Sequence, residues 1–172
     1  MAVLPILRHP DPVLNQKAGP VTEFNESLQK LIDDMFETMY AAPGIGLAAP
    51  QIGKSLRLFV YDLRESDEHP RHKGVLINAE FLTREGRQNA EEGCLSVEDY
   101  RTWVTRAEHV VIRGLDRDGK EVTLDGDGLL ARMFQHEMDH LEGKLFIDRI
   151  SSLKRNIYMK RLRKRQRAEQ ME

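Results

Sequence analysis

The run Gly128-Leu129-Leu130-Ala131-Arg132-Met133-Phe134-Gln135-His136-Glu137-Met138-Asp139-His140-Leu141 decides how the rest of this chain is read. Leu129, Leu130, Met133, Phe134, Met138 and Leu141 surround nearly the whole helical wheel, with Asp127 as a possible N-cap and Gly143 placed to end the helix. A helix apolar on all sides belongs inside a protein. Placing two histidines and carboxylates there would be costly without a partner for them. His136 and His140 stand one turn apart on one face, where both rings can reach a single ion, and Glu137 lies beside them as a candidate base. The stretch therefore points to a metal-dependent hydrolase.

Working outward, apolar residues from Phe24 to Met39 recur at helical spacing, so about 24–41 reads as an amphipathic helix with Thr22 or Asn25 as cap, stopped by Pro43 and Gly44. Residues 44–53 are rich in Gly, Ala and Pro and read as a loop or irregular strand. Leu56–Tyr61, Val75–Asn78, Tyr100–Thr105, His109–Leu115 and Glu121–Leu124 are strand candidates. Arg64–Lys73 reads as an exposed loop. Asp118-Gly119 signals a hairpin, and hence an antiparallel sheet. Beyond the motif helix an apolar stripe through Leu153, Ile157, Tyr158 and Leu162 gives way to Arg163-Lys164-Arg165-Gln166-Arg167, so a basic helix at about 151–168 is expected to dock at its start and project at its end.

The 172 residues carry no repeat or linker, so 1–172 is expected to form one catalytic domain. With 40% apolar and 31% charged residues, disordered and membrane classes are excluded. No charged n-region leads into an apolar run, and no stretch approaches the roughly 20 apolar residues of a membrane span. One cysteine, Cys94, permits no internal disulfide. Together these readings fit a cytoplasmic protein. The net charge of −2 conceals an asymmetry: residues 151–172 hold eight Lys or Arg against two Glu, leaving the remainder near −8.

Two histidines leave a tetrahedral ion short of ligands. A metzincin pattern would place its third histidine at Phe146, which cannot coordinate. A thermolysin-like downstream glutamate is poorly served, since only Glu142, Glu169 and Glu172 remain. Cys94, preceded by Gly93, is the natural upstream candidate, a thiolate suiting a borderline or soft ion. Two other readings stay open: a metallopeptidase built on the same helix, and a noncatalytic RNA-binding module with a structural metal, which would call for a second cysteine.

Gly44-Ile45-Gly46-Leu47-Ala48-Ala49-Pro50-Gln51, Glu92-Gly93-Cys94-Leu95-Ser96 and Gln135-His136-Glu137-Met138-Asp139-His140 resemble, in order and spacing, the three motifs of the peptide deformylases, most closely the bacterial type. The resemblance extends over nearly the whole chain. It implies an α+β fold in which antiparallel β-sheets surround the buried helix that carries H-E-x-x-H, with N-terminal and C-terminal helices. It implies removal of the formyl group from the N-terminal formyl-methionine of new polypeptides, with release of formate. Cys94, His136 and His140 would hold one divalent ion, Fe²⁺ in vivo with Zn²⁺ or Ni²⁺ able to substitute, and Glu137 would move the proton. Gln51 and the backbone N–H of Leu95 would stabilise the oxyanion. Gly44 and Gly46 would leave room for the peptide backbone, with Ile45, Leu95, Leu129 and Met133 as candidate pocket walls and Arg101 near the substrate backbone. Glu92 and Arg106 match charged family positions that could pair.

Many family members carry proline where this chain has Glu98, which bears on substrate preference. The basic helix has two readings, a solvated face or, as the resemblance implies, a handle for ribosomal RNA or a ribosomal protein, with no DNA or membrane partner.

Overall fold

The computed structural model describes residues 2–171; Met1 and Glu172, the last of the three downstream glutamates, lie outside the described residues. Helix α1 spans Glu26–Ala41, and the cap is Asn25, whose side chain accepts from the Leu28 N–H at 3.0 Å. Strands β1 (Gly46–Ala48), β2 (Leu58–Leu63), β3 (His72–Glu85), β6 (His109–Leu115) and β7 (Glu121–Asp127) form an antiparallel sheet in the order β1-β2-β3-β6-β7. Strands β4 (Gln88–Cys94) and β5 (Val97–Arg106) pair as a separate two-stranded sheet. Helix α2 is Gly128–Leu141 and α3 is Ser152–Gln170. The expected α+β architecture is present, and Leu130, Ala131, Met133, Phe134, Met138 and Leu141 of α2 share one core with Phe59, Tyr61, Leu76, Val110 and Ile112 of the large sheet.

Several expectations require correction. β3 is much longer than Val75–Asn78, because Asn78 adopts φ +53° and the ladder slips between Ile77 and Glu80, breaking the alternation that sequence reading follows. The Asn78 side chain there accepts from the Val21 N–H and donates to the Val21 carbonyl, both at 2.9 Å. β4 had no sequence signal: Gln88-Asn89-Ala90-Glu91-Glu92-Gly93 is polar, and its buried residue is a charged one, Glu92. Segment 44–53 resolves into β1 and a 3-10 turn at Ala49–Ile52, and β2 begins two residues later than expected. The loop after β2 is pinned by Arg71, which donates to Asp62 at 3.0 and 2.5 Å.

Asp127 occupies the N-cap position of α2 but makes no capping bond; its carboxylate lies 2.7 Å from His109 Nδ1. Gly143 ends the helix at φ +75°, where an added Cβ would stand 2.7 Å from the Asn15 backbone. Leu129, at 47% exposed, departs from the fully buried helix. On α3 the apolar stripe is only half used, with Tyr158 and Leu162 buried and Leu153 and Ile157 exposed. Leu162 packs with Tyr158 against Val97, Tyr100 and Val104 of β5 and Phe146.

Candidate metal centre

β4 ends at Cys94, which pairs with Val97 across the two-residue turn Leu95-Ser96. This turn delivers the sulfur to the face of α2 carrying His136 and His140. Cys94 Sγ lies 3.4 Å from His140 Nε2, and one donor atom from each of Cys94, His136 and His140 falls within 4.8 Å of the others. For an ion held tetrahedrally at ordinary Zn–S and Zn–N lengths, sulfur and nitrogen stand about 3.6 Å apart. The donor set thus fits a borderline divalent ion in both spacing and softness.

Behind the site the two rings differ: His136 Nδ1 has a carboxylate partner, whereas the buried His140 Nδ1 has no hydrogen-bond partner among the described residues. Glu92 Oε1 lies 2.5 Å from His136 Nδ1, which as donor leaves Nε2 free for an ion. Glu92 also accepts from Arg106 Nε and Nη2 at 3.1 and 2.7 Å and from Arg132 Nη1 at 2.6 Å; Arg106 Nη1 in turn donates to Asp139 at 2.7 Å, as does Arg149. Glu92, Arg106, Arg132 and Asp139 are all buried. The Glu92–Arg106 pair was open to sequence reading; Arg132, Asp139 and Arg149 were missed. A charged side chain on an otherwise apolar helix, one turn before His136, was the signal that Arg132 needed an internal partner.

These contacts set the electrostatics. Burial pushes the Glu92 carboxyl up, but His136 and Arg106 outweigh it and hold it well below the usual range. Burial likewise favours neutral His136, yet Cys94 and Glu92 draw positive charge to its ring. His140 is kept neutral, the ligand form, chiefly by burial. Burial raises the Glu137 carboxyl to about 7, suiting it to gain and lose a proton near neutrality. Its Oε1 lies 4.0 Å from His140 Nε2.

Gly46 stands against this acid: an added Cβ would come within 2.6 Å of Glu137 Oε2. Gln51 is buried and held at both ends, its Oε1 accepting from the Ala48 N–H at 2.9 Å and its Nε2 donating to Ser96 Oγ at 3.1 Å, 3.8 Å from Cys94 Sγ. The N-terminal arm ties this loop to the cysteine turn, since Leu7 N–H donates to the Gln51 carbonyl and His9 N–H to that of Ser96, each at 2.7 Å.

Gly46, Gln51, Cys94, His136 and Glu137 open on a cleft of about 730 Å³. Gly44, Ile45, Gly46, Leu95, Leu129 and Met133 line it, with Ile45 and Leu129 exposing apolar surface there. Arg101 also lines it and donates to Glu91 at 2.9 Å. Of the site residues singled out from the sequence, all border this cleft except His140 and Arg106, which are buried.

Residues 3–156 match the family described as Polypeptide deformylase. The chain belongs to that family. It is 60% identical over 168 residues to a peptide deformylase of Acidobacterium capsulatum, covering 98% of each chain. It superposes on a peptide deformylase from Legionella pneumophila with a TM-score of 0.89 at 47% identity, covering 99% of both chains, and on one from Ehrlichia chaffeensis in complex with actinonin with a TM-score of 0.91 at 36% identity, covering 97% and 99%. Peptide deformylases are metal-dependent hydrolases that remove the formyl group from N-terminal formyl-methionine, and this chain is accordingly a hydrolase of protein biosynthesis.

Proposed function

We propose that this deformylase acts through one ion held by Cys94, His136 and His140, with Glu137 as the proton carrier. The observation that carries the reading is the convergence of one sulfur and two imidazoles beside a buried acid on the wall of an apolar cleft. A divalent ion bound there supplies a Lewis acid that makes water a nucleophile near neutral pH. Fe²⁺ is assigned as the physiological ion and Zn²⁺ or Ni²⁺ as substitutes, since the mixed sulfur and nitrogen donor set suits all three.

Glu137 takes a proton from the attacking water and passes it to the departing amine. The Gln51 amide and the Leu95 backbone N–H donate to the oxygen of the formyl group as negative charge develops on it, a contribution of roughly 3 to 4 kcal/mol for such a donor. Gly44 and Gly46 leave room for the substrate backbone along the β1 edge. Ile45, Leu95, Leu129 and Met133 form the methionine pocket, and Arg101 borders the emerging backbone. The whole chain acts as a single catalytic domain in the cytoplasm, where the substrate is made, and the described residues contain no helix long and apolar enough to cross a membrane. The exposed basic face of α3, where Lys160, Arg163, Lys164 and Arg167 lie together, docks on the ribosome.

Protein purified without oxygen is expected to carry one equivalent of divalent metal and to release formate from formyl-Met-Ala-Ser while leaving unformylated Met-Ala-Ser intact. Glu137→Gln should keep the metal and lose turnover by at least about 10²-fold. Full metal content and full activity in Cys94→Ala would overturn the ligand assignment.

A further inference from the structure

The mouth of the cleft carries one negative charge that no side chain among the described residues balances. Five carboxylates line the cleft, and four are accounted for. Glu92 is buried among Arg106 and Arg132, and Glu137 sits beside the proposed ion site. Glu91 is paired with Arg101 at 2.9 Å, and Glu98 is paired with Arg8 and, at 3.0 Å, with Arg165 of α3. Asp99 is exposed, and its side chain has neither a hydrogen-bond nor an ion-pair partner among the described residues. Both lining arginines, Arg101 and Arg132, are already paired with glutamates, so Asp99 sets the sign of the mouth.

The backbone places it there. Between the pairs Cys94–Val97 and Glu92–Thr102 the ladder advances two residues on β4 but five on β5. The surplus bulges outward at the cleft, and Asp99 takes φ +57°, a conformation that Asp and Asn tolerate better than most residues. Glycines of β1 and the preceding loop line the cleft with it. A formylated peptide seated as proposed above, its formyl oxygen at the Gln51 amide and the Leu95 N–H and its methionine on Leu129 and Met133, leaves through this mouth. Its second and third residues then pass the bulge.

We propose that Asp99 is a specificity-determining residue that selects, among formyl-methionyl peptides, those with lysine or arginine at the second or third position and disfavours those with an acid there. The inference rests on the substrate placement given under the proposed function. Attraction to a cation and repulsion of an acid at an exposed site, each of the size of a surface ion pair, together amount to about threefold to tenfold in kcat/KM between matched lysine and glutamate substrates. Exposed charges are screened, so the ratio shrinks as salt rises.

The test measures formate release by the metal-loaded enzyme from formyl-Met-Lys-Ser against formyl-Met-Glu-Ser, and from formyl-Met-Ala-Lys against formyl-Met-Ala-Glu, for the native chain and Asp99→Asn. Asparagine keeps the left-handed backbone and removes only the charge. Each ratio is internal to one enzyme, so differences in folding or metal loading cancel. A lysine preference of about threefold to tenfold at one of the two positions, falling to within about twofold in Asp99→Asn, is expected. Equal turnover of each lysine and glutamate pair by the native chain, or a preference that persists undiminished in Asp99→Asn, overturns the charge assignment while leaving deformylation intact. Absence of formate from all four peptides overturns the underlying reading, and the inference with it.

Discussion

Replacing Glu92 with glutamine tests the buried charge network and the metal centre at once, because the two readouts separate. Glu92 accepts two bonds from Arg106, one from Arg132 and one from His136. The amide has nearly the same shape, but it loses the charge and presents a donor to at least one of these donors. Arg106 retains Asp139 at 2.7 Å, whereas Arg132, with a side chain only 5% exposed, keeps no carboxylate and falls back on neutral acceptors, the Val104 carbonyl at 2.8 Å and Gln88 Oε1 at 3.2 Å. Breaking a buried pair in this way costs about 3–5 kcal/mol. For a domain of this size each kcal/mol corresponds to about 2–4 °C, so the metal-free protein should melt about 6 to 20 °C lower. Losing the carboxylate behind His136 should separately weaken metal binding by about 10- to 100-fold. The assay is thermal unfolding of chelator-treated protein together with metal competition titrations. Arg132→Met, which leaves the Glu92–His136 contact in place, should lower the melting temperature and spare the affinity. If Glu92→Gln melted within 2 °C (about 0.5–1 kcal/mol) of the native chain and held metal equally well, the reasoning would be refuted.

Gly46→Ala forces the Glu137 carboxylate aside, since the new Cβ would sit 2.6 Å from Oε2; kcat should fall by about 10²-fold with little change in melting temperature, and native kcat would remove Gly46 from the positioning of the acid. Deleting the chain from Lys160 onward would remove Leu162, which is 4% exposed, and the Arg165 partner of Glu98, so a stability loss is expected; Leu162→Ala alone should cost about 2–5 kcal/mol in denaturant unfolding. Ribosome docking is therefore better tested by changing Lys160, Arg163, Lys164 and Arg167 to glutamine, which should weaken binding at low salt without lowering the melting temperature; binding equal to that of the native chain would refute the docking surface. Hydrogen bonds from Arg71 hold the Asp62 carboxyl below its ordinary value of 3.8, outweighing burial, so this acid contributes stability above pH 4 (about the unfolded value) that is lost as pH falls through the lowered value. Asp62→Asn should show a shallower decline of unfolding free energy on the acid side of pH 4 (about the unfolded value), and an unchanged decline would count against the pair.

What the sequence made legible follows from which physical signals are local. α1 was readable because an apolar period of 3.6 and a capping residue lie within one segment, α2 because a run apolar around the wheel ends at Gly143, and the β6–β7 hairpin because Asp118-Gly119 encodes its own turn. β4 was invisible because what holds it is a distant partner: Glu92 is inward-facing and charged, and only Arg106, Arg132 and His136 explain why it can be buried. The far half of β3 was lost because Asn78 resets the alternation, a consequence of its contact with Val21 rather than of its neighbours in sequence. At the site, His136, His140 and Glu137 were local, and Cys94 was reachable by eliminating other ligands. Gly46 was read as room for substrate, while its approach to Glu137 required the fold.

The division of the sheets bears on how the ligand set is made rigid. A two-stranded hairpin standing alone is marginal in water, yet β4–β5 carries the sulfur that completes the site. Three separate contacts compensate. Glu92 locks β4 to α2 through Arg132 and His136, so the hairpin is fastened to the same helix that bears the two rings. On its other side Val97, Tyr100 and Val104 pack on Phe146, Tyr158 and Leu162, and the Tyr100 hydroxyl donates to the Lys154 carbonyl at 3.1 Å. The turn itself is held by the N-terminal arm through His9 and Ser96, and the His9 ring meets the Tyr158 hydroxyl at 2.9 Å. α3 therefore does more than present positive charge: its first three turns form part of the wall against which Cys94 is held. Loosening that wall should show first as weaker metal retention, before any loss of secondary structure, because the hairpin can shift its sulfur without unfolding the large sheet.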